Sequence, residues 1–212
     1  MLQRFTDRAA LLAARGKDGT LVDADLSFVD ISGLDLSGLN LSGALLSGSR
    51  LLGTSFDGCD CSAIFVQRAD LTGARFRHAR LEEAFFQHSV MQRCDFSDAA
   101  MSGAKILVCQ LENGLLCRAD LTDGQVLGTN FTGADFSGAS LRRVVLREAT
   151  LEGARLVACD LREADFRKAD LQNAIVGDVR TEGALFYGKA PWPDAATQPT
   201  DWDVKLPRFD GE

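Results

Sequence analysis

An apolar residue recurs at every fifth position over most of the 212-residue chain. From Leu26 to Val176 these central residues are 16 Leu, 7 Phe, 3 Val, 2 Ile, 2 Met and 1 Cys, and none of the 31 is polar. At the chain's apolar content of 46%, such an unbroken run has a chance probability on the order of 10⁻¹⁰. Strand alternation would give a period of two and a helical face a period of 3.6, so a period of five predicts a repeat architecture.

A second set lies two residues before each central residue, at what we call the small inward position. It holds 16 Ala and 10 Cys, Ser, Thr or Gly. The exceptions are Val29, Leu34, Leu39, Ile64 and Val144. Two steps of extended chain return a side chain to the same face, so both sets face one interior. The other three positions of each repeat face outward and carry the small, polar and Gly residues that suit a corner.

Five residues therefore form one short extended side followed by a bend. If four sides close a square, one coil takes 20 residues, and successive coils can stack at about 4.8 Å through backbone hydrogen bonds. The 31 repeats then form nearly eight coils, a rod about 37 Å long.

Three stretches carry a resemblance to a known family: ADLTGARF at 69–76, TNFTGADFSGASL at 129–141 and READFRKADLQNA at 162–174. They resemble the pentapeptide-repeat family, whose pattern is a small residue, Asp or Asn, Leu or Phe, Ser/Thr/Arg, then Gly or any residue. The resemblance implies an all-β fold, a right-handed quadrilateral β-helix. Asp or Asn directly before the central residue, which we call the leading position, occurs in only 13 of the 31 repeats.

The composition divides the chain into three segments. Residues 1–21 are predicted to form a capping helix and lead, residues 22–187 the β-helix, and residues 188–212 a cap or tail. All four prolines and both tryptophans lie in the last segment, where proline cannot extend a strand ladder. The tail is thus expected to close the end of the rod, with partner binding as the alternative.

The first segment has the signals of a short helix. Thr6 is the predicted N-cap and Gly16 lies just past the expected end. Phe5, Leu11 and Leu12 are expected to lie over the first coil.

The sequence offers little for catalysis. His78 and His88 are ten residues apart, which is half a coil, so they are expected on opposite corners and cannot share a metal. Five of the six cysteines occupy inward positions and read as structural thiols, and only Cys117 faces out. A solenoid without insertions has no pocket to perturb a carboxylate pair, so we expect no enzyme activity, no cofactor and no metal.

The net charge of −7 argues against a general nucleic-acid or membrane-surface binder, because such proteins carry a basic surplus. The first residues include Asp7 and show no cleavage pattern, so they do not read as a signal peptide. The expected location is the cytoplasm.

The function of a rod without loops is expected on its outer faces. One face, here called the apolar face, has the central residues Leu26, Leu46, Val66, Phe86, Ile106, Val126, Leu146 and Phe166. Its outward apolar residues, a candidate interaction stripe, are Leu45, Phe65, Phe85, Leu107, Val108, Leu127 and Val145. Contiguous exposed apolar residues usually mark an interface, here with a protein partner or in a homodimer. The alternative is that the protein's own termini cover this face.

The resemblance also implies a second candidate function. Some pentapeptide-repeat proteins mimic B-DNA, bind DNA gyrase or topoisomerase IV, and protect it from quinolones or other topoisomerase poisons. The candidate acidic face for this role carries Asp60, Glu82, Glu83, Asp120, Asp123, Asp160 and Glu163. The outward residues of that face have a net charge of only −3, whereas B-DNA of the same length carries about 22 negative charges. Neither a loop insertion nor a C-terminal dimer helix, which such proteins often carry, is evident in the sequence.

Overall fold

The computed structural model describes residues 4–12 and 20–186 and shows a β-solenoid, which confirms the predicted all-β fold. Parallel backbone bridges join residues 20 positions apart, so four five-residue sides make one coil. On the apolar face the ladder runs through Asp25, Leu45, Phe65, Phe85, Lys105, Gln125, Val145, Asp165 and Leu185. That ladder takes eight successive steps of one coil.

Six three-residue strands stand out from the single bridges of the other sides. They are β1 (Phe65–Gln67), β2 (Phe85–Gln87), β3 (Lys105–Leu107), β4 (Gln125–Leu127), β5 (Arg155–Val157) and β6 (Ile175–Gly177). Strands β1 to β4 form one parallel sheet in the order β1-β2-β3-β4, with partners exactly one coil apart, and this sheet lies on the apolar face. Strands β5 and β6 pair on the opposite side of the rod.

The core consists of the central residues, all of which are buried from Leu26 to Phe166. Phe56, Phe76 and Phe96 stack along one side with ring centroids 4.7 and 4.9 Å apart. Most polar residues at the small inward position donate to a backbone carbonyl of the preceding coil, as the Ser49 hydroxyl does to Leu26 at 2.6 Å, and the Ser89 hydroxyl donates to Gln87 of its own coil at 3.1 Å. Such bonds allow Ser, Thr and Cys to replace Ala inside the rod without leaving an unpaired polar group.

Every corner is built from a left-handed residue. The second residue after each central residue, the corner position, has a positive φ throughout the series from Asp23 to Gly183. Thirteen of these residues are Gly and twenty are not. A left-handed conformation is free for Gly but strained for a residue with a Cβ, so local stabilisation of the corners is needed.

Asp and Asn at the leading position supply part of that stabilisation. In all 13 repeats that carry them, the side-chain oxygen accepts a hydrogen bond from the backbone N–H two residues later, as Asp25 does from Ser27 at 3.0 Å. This Asx turn holds the chain at the bend. All six strands begin at a residue other than Asp or Asn, where the chain continues extended for longer.

A short helix, α1 (residues 8–12), begins beside the first coil. Its N-cap is Asp7, whose Oδ1 accepts a hydrogen bond from the backbone N–H of Ala10 at 2.8 Å. The prediction that Thr6 caps the helix is therefore wrong by one residue: the Thr6 hydroxyl donates instead to Asp7 at 3.5 Å. A charged cap binds the free N–H groups of the first turn more strongly than a hydroxyl.

Phe5, Leu11 and Leu12 were predicted to lie over the first coil, and the structure buries two of these three residues. Phe5 and Leu11 are buried, whereas Leu12 is exposed, so the prediction for Leu12 is wrong. The lead also pairs with the first coil, since the Phe5 N–H donates to the Asp25 carbonyl at 2.9 Å. The predicted helix end at Gly16 and the predicted cap at 188–212 lie outside the described residues.

Candidate interaction surface

Three apolar residues follow one another along the leading column of the apolar face. Leu45 pairs with Phe65, and Phe65 pairs with Phe85, each one coil further along. The two phenylalanine rings are stacked outside the rod, with centroids 4.9 Å apart and planes at 2°. Phe65 is 36% exposed and the other two are half-buried. The in-register coils thus present a continuous apolar patch.

A second apolar patch lies further along the same face, on the other side of each strand. Leu107 and Leu127 are direct partners in the pairing of β3 with β4. Val108, at the adjoining corner, is 53% exposed. The structure therefore brings these three predicted residues together as well.

The two patches are displaced from each other and do not form one uninterrupted column. Lys105 and Gln125 follow Phe85 in the leading column, and Val145 comes only after them. Val145 is half-buried and stands apart from the other predicted residues.

Phe28 belongs to the same face and escaped the sequence analysis. It is 79% exposed, and its ring lies over the next coil, because a Cβ added at Gly48 would be 2.6 Å from a ring carbon. The signal in the sequence was a phenylalanine at a corner position, where Gly and polar residues predominate.

Phe28 and Val108 are also the two most unusual corners. Their φ angles are 64° and 54°, and the other eighteen strained corners hold Asp, Asn, Glu, Arg, Lys, His or Ala. A bulky or β-branched residue is disfavoured in this region by roughly 1–2 kcal/mol. Both side chains are exposed, so burial in the described structure does not offset the strain. All twenty non-Gly corners share this conformation, so what distinguishes Phe28 and Val108 is that their side chains are large, apolar and exposed.

The charge of the apolar face differs from that of the rest of the rod. Between Leu45 and Gly128 its outward residues include Arg68, His88 and Lys105 but no Asp or Glu. Its outward charges over residues 25–187 sum to +2, whereas the other faces sum to −3, −2 and −3. The apolar face is therefore slightly cationic, whereas the other three faces of the rod are acidic.

The candidate acidic face is extensively ion-paired. Five of its seven predicted acids lie within 4 Å of an arginine: Asp60 and Glu82 with Arg80, Asp123 with Arg143, Asp160 with Arg162, and Glu163 with Arg142. Asp120 accepts two hydrogen bonds from Thr122, and Glu83 is exposed.

The same contacts shift the pKa of these carboxyl groups. Hydrogen bonds from Arg143 lower the pKa of Asp123, and those from Arg162 lower the pKa of Asp160. Paired carboxylates make a poor substitute for a row of free phosphates.

We expect the rod to lose stability in acid. Asp95 is only 5% exposed, and although burial alone would raise its pKa, bonds from Ser97 and Arg77 outweigh it and lower the pKa. A carboxyl with a lowered folded-state pKa stabilises the fold above its unfolded pKa of about 3.9, and that stability is lost as the pH falls through the folded value. The thermal midpoint, followed by circular dichroism, should fall below about pH 4.

Asp95→Asn is the matched control, because Asn40 and Asn130 show that an amide oxygen forms the same turn. At pH 7 the variant should have a lower thermal midpoint than the wild type. At pH 2, where Asp95 is protonated, the difference between the two midpoints should be smaller. A midpoint difference that is independent of pH would contradict this.

The cysteines and the other potential metal ligands are the groups that could form a reactive or metal-binding cluster within the described residues. Five cysteines are buried and Cys117 is half-buried, as predicted, and burial raises the pKa of the Cys109 and Cys159 thiols to about 11. Thiols with such pKa values are unreactive. Over residues 4–12 and 20–186 no three His, Cys, Asp or Glu groups are placed to hold a metal ion. Within the same ranges no helix has the length and apolar character to cross a membrane.

The family model for pentapeptide repeats matches the chain in eight copies, over residues 24–60, 69–106, 109–138 and 139–176. The chain therefore belongs to the pentapeptide-repeat family. Among curated proteins no significant match exists.

Solved structures of similar proteins include a trypsin-treated variant of QnrB1, a plasmid-mediated fluoroquinolone resistance protein. It has 17% identity and a TM-score of 0.49, over 72% of this chain and 89% of that one. HetL, a pentapeptide-repeat protein involved in heterocyst differentiation regulation in the cyanobacterium Nostoc sp. strain PCC 7120, has 23% identity and a TM-score of 0.29, over 86% and 98%. At such low sequence identities and TM-scores, these structures say nothing about what the present chain binds.

Proposed function

We propose that this protein is a non-catalytic interaction module that binds a protein partner through its apolar face. The observation that carries the proposal is the stacked pair Phe65 and Phe85, held outside the rod by an in-register sheet. Aromatic residues that are pre-ordered by neighbouring strands lose little conformational freedom on binding, and aromatic anchors dominate many interfaces.

Two further features support the same face. Between Leu45 and Gly128 its apolar residues have Arg68 and Lys105 beside them and no acid, so the centre of the face is not crossed by ion pairs of its own. Its exposed corners Phe28 and Val108 retain strained backbone conformations that Gly would avoid. A partner that buries both side chains would offset part of this strain.

The test is site-specific photo-crosslinking in the cells that produce the protein. A benzoyl-phenylalanine at position 65 resembles the native residue and should form adducts of higher mass on illumination. The matched control is position 115, because Leu115 is also a leading residue and is 42% exposed, but lies on the opposite side of the rod.

Adducts at position 65 well above those at position 115 would support the proposal, and their mass would identify the partner. Equal labelling at the two positions, or none at position 65, would refute it. An intramolecular link from position 65 to residues 187–212 would refute it too, because the protein's own tail would then cover the face.

Binding to a type II topoisomerase as a DNA mimic stays a prediction from the family resemblance. The ion pairs of the candidate acidic face weigh against it, since they leave few carboxylates free to replace phosphates. A cytoplasmic location likewise stays a prediction.

A further inference from the structure

We infer that the partner of the apolar face is a second copy of this chain, packed face to face and antiparallel about a two-fold axis through Phe65. The inference rests on the proposed function, and it names the partner of the same surface. A two-fold axis that lies in the interface along the strand direction keeps each column of side chains opposite itself and reverses the order of the coils. The identical coil spacing of the two rods then keeps every coil in register.

The leading column is self-complementary about this axis. Phe65 lies on the axis and meets its own copy, while Leu45, one coil before it, meets Phe85, one coil after it. Two coils out on either side, Asp25, which also lies 3.8 Å from Arg4 of its own chain, meets Lys105. The apolar pairs therefore lie at the centre and two opposite-charge pairs close the ends, which is the usual arrangement of an interface core and rim.

The corner column obeys the same symmetry independently. Phe28 lies two coils before the axis and Val108 two coils after it, so each exposed, strained side chain meets the other across the interface. These two are the only large apolar residues among the twenty non-glycine corners of positive φ in the described part of the rod. Their equal distance from Phe65 is the observation that distinguishes a second copy from an unrelated partner.

The residues nearest the axis are compatible with the arrangement. Gln67 meets its own copy, and an amide can both donate and accept, so two identical amides can pair; Gln67 already donates to Gln87 at 2.9 Å along the rod. Arg68 also meets its own copy, at an exposed corner where solvent screens the two charges. Leu127 and Val145 lie beyond the five coils that the axis relates.

The first experiment measures the dimer with Phe65→Asp. The full-length chain should sediment as a concentration-dependent dimer, and Phe65→Asp should convert it to a monomer, because two carboxylates would meet at the axis. Asp is the residue preferred at a leading position, so the fold is expected to tolerate it. Leu115→Asp, at the equivalent position of the opposite face, should leave the dimer unchanged.

The second experiment exchanges the charges of the end pairs. Asp25→Lys and Lys105→Asp should each weaken the dimer by at least about 10-fold, because both symmetric pairs become like-charged. The double variant restores opposite charges and should return the dissociation constant to within about threefold of the wild type. The leading position already holds Arg at 50 and 75, but Asp25→Lys also loses the contacts to Arg4 and Ser27, so its circular-dichroism spectrum is compared with that of the wild type before the dimer is measured.

Each outcome decides the inference. A wild-type protein that stays monomeric, a dimer that survives Phe65→Asp, or a charge exchange that fails to restore the dimer would overturn it. The proposed function would still stand in those cases if crosslinking at position 65 yields an adduct with a different protein, and it would fall if position 65 yields none.

Discussion

Replacing Phe76 by alanine should destabilise the rod by about 3–5 kcal/mol, the largest effect we expect from a single truncation. Phe76 is fully buried and stacks between Phe56 and Phe96, and its ring also meets Phe86 edge to face at 6.3 Å. Because neighbouring coils are held apart by their backbone ladders, they cannot collapse into the cavity. The measurement is equilibrium unfolding in urea, followed by circular dichroism.

Phe85→Ala is the matched control for this prediction. Phe85 stacks on Phe65 at nearly the same distance as the core rings, but outside the rod and half-buried. Its truncation leaves no enclosed cavity and should cost markedly less than that of Phe76. Equal losses for the two variants would show that stacking along the rod, and not filling of the core, stabilises the coils.

The sequence alone predicts the course of the backbone because one residue in five must be buried. The apolar period identifies each central residue, and the small residues two positions earlier identify the inner wall. Even the departures are informative: Leu34 replaces a small inward residue close to the first coil and is buried there. The 20-residue coil then follows from four sides, and with it the stacking of Phe65 on Phe85.

The corners were predicted less completely. Gly and small polar residues indicate the bends, but the structure places a left-handed residue at every one, including Phe28 and Val108. A sequence pattern shows which residue types are favoured at a corner and does not show that the ladder forces disfavoured ones into the same conformation. Phe28 was missed for this reason, since a phenylalanine between two repeats does not by itself reveal how far it projects.

The sequence does not predict which acid each surface arginine pairs with. Arg77 reaches Asp95 in the next coil, whereas Arg143 reaches Asp123 in the preceding coil. A long side chain at the surface can meet an acid on either side of its own coil, and the free-energy differences between these choices are small. The repeat pattern therefore predicts a salt-bridged surface but not its partners.

The small inward column of the apolar face gives the second large effect. Ile64 is a bulky residue in this column, and its neighbours one coil away are Ala44 and Ala84, all fully buried. Ala84→Leu should destabilise the rod by about 1–3 kcal/mol or more, because the added methyl groups meet a filled core. Ile64→Ala alone should cost about 2–5 kcal/mol through its cavity.

The double variant should cost less than the sum of the two, by about 1–3 kcal/mol, because leucine at 84 can occupy the space that isoleucine at 64 vacates. Gly124, one coil before Val144 in the same column, shows that a small inward residue can also be required by the nearby backbone. A Cβ added at Gly124 would lie 2.8 Å from the Leu121 carbonyl oxygen, so the small residue is needed there. A double-mutant cycle in urea measures the coupling, and strictly additive losses would mean that each coil packs its own core independently of the next.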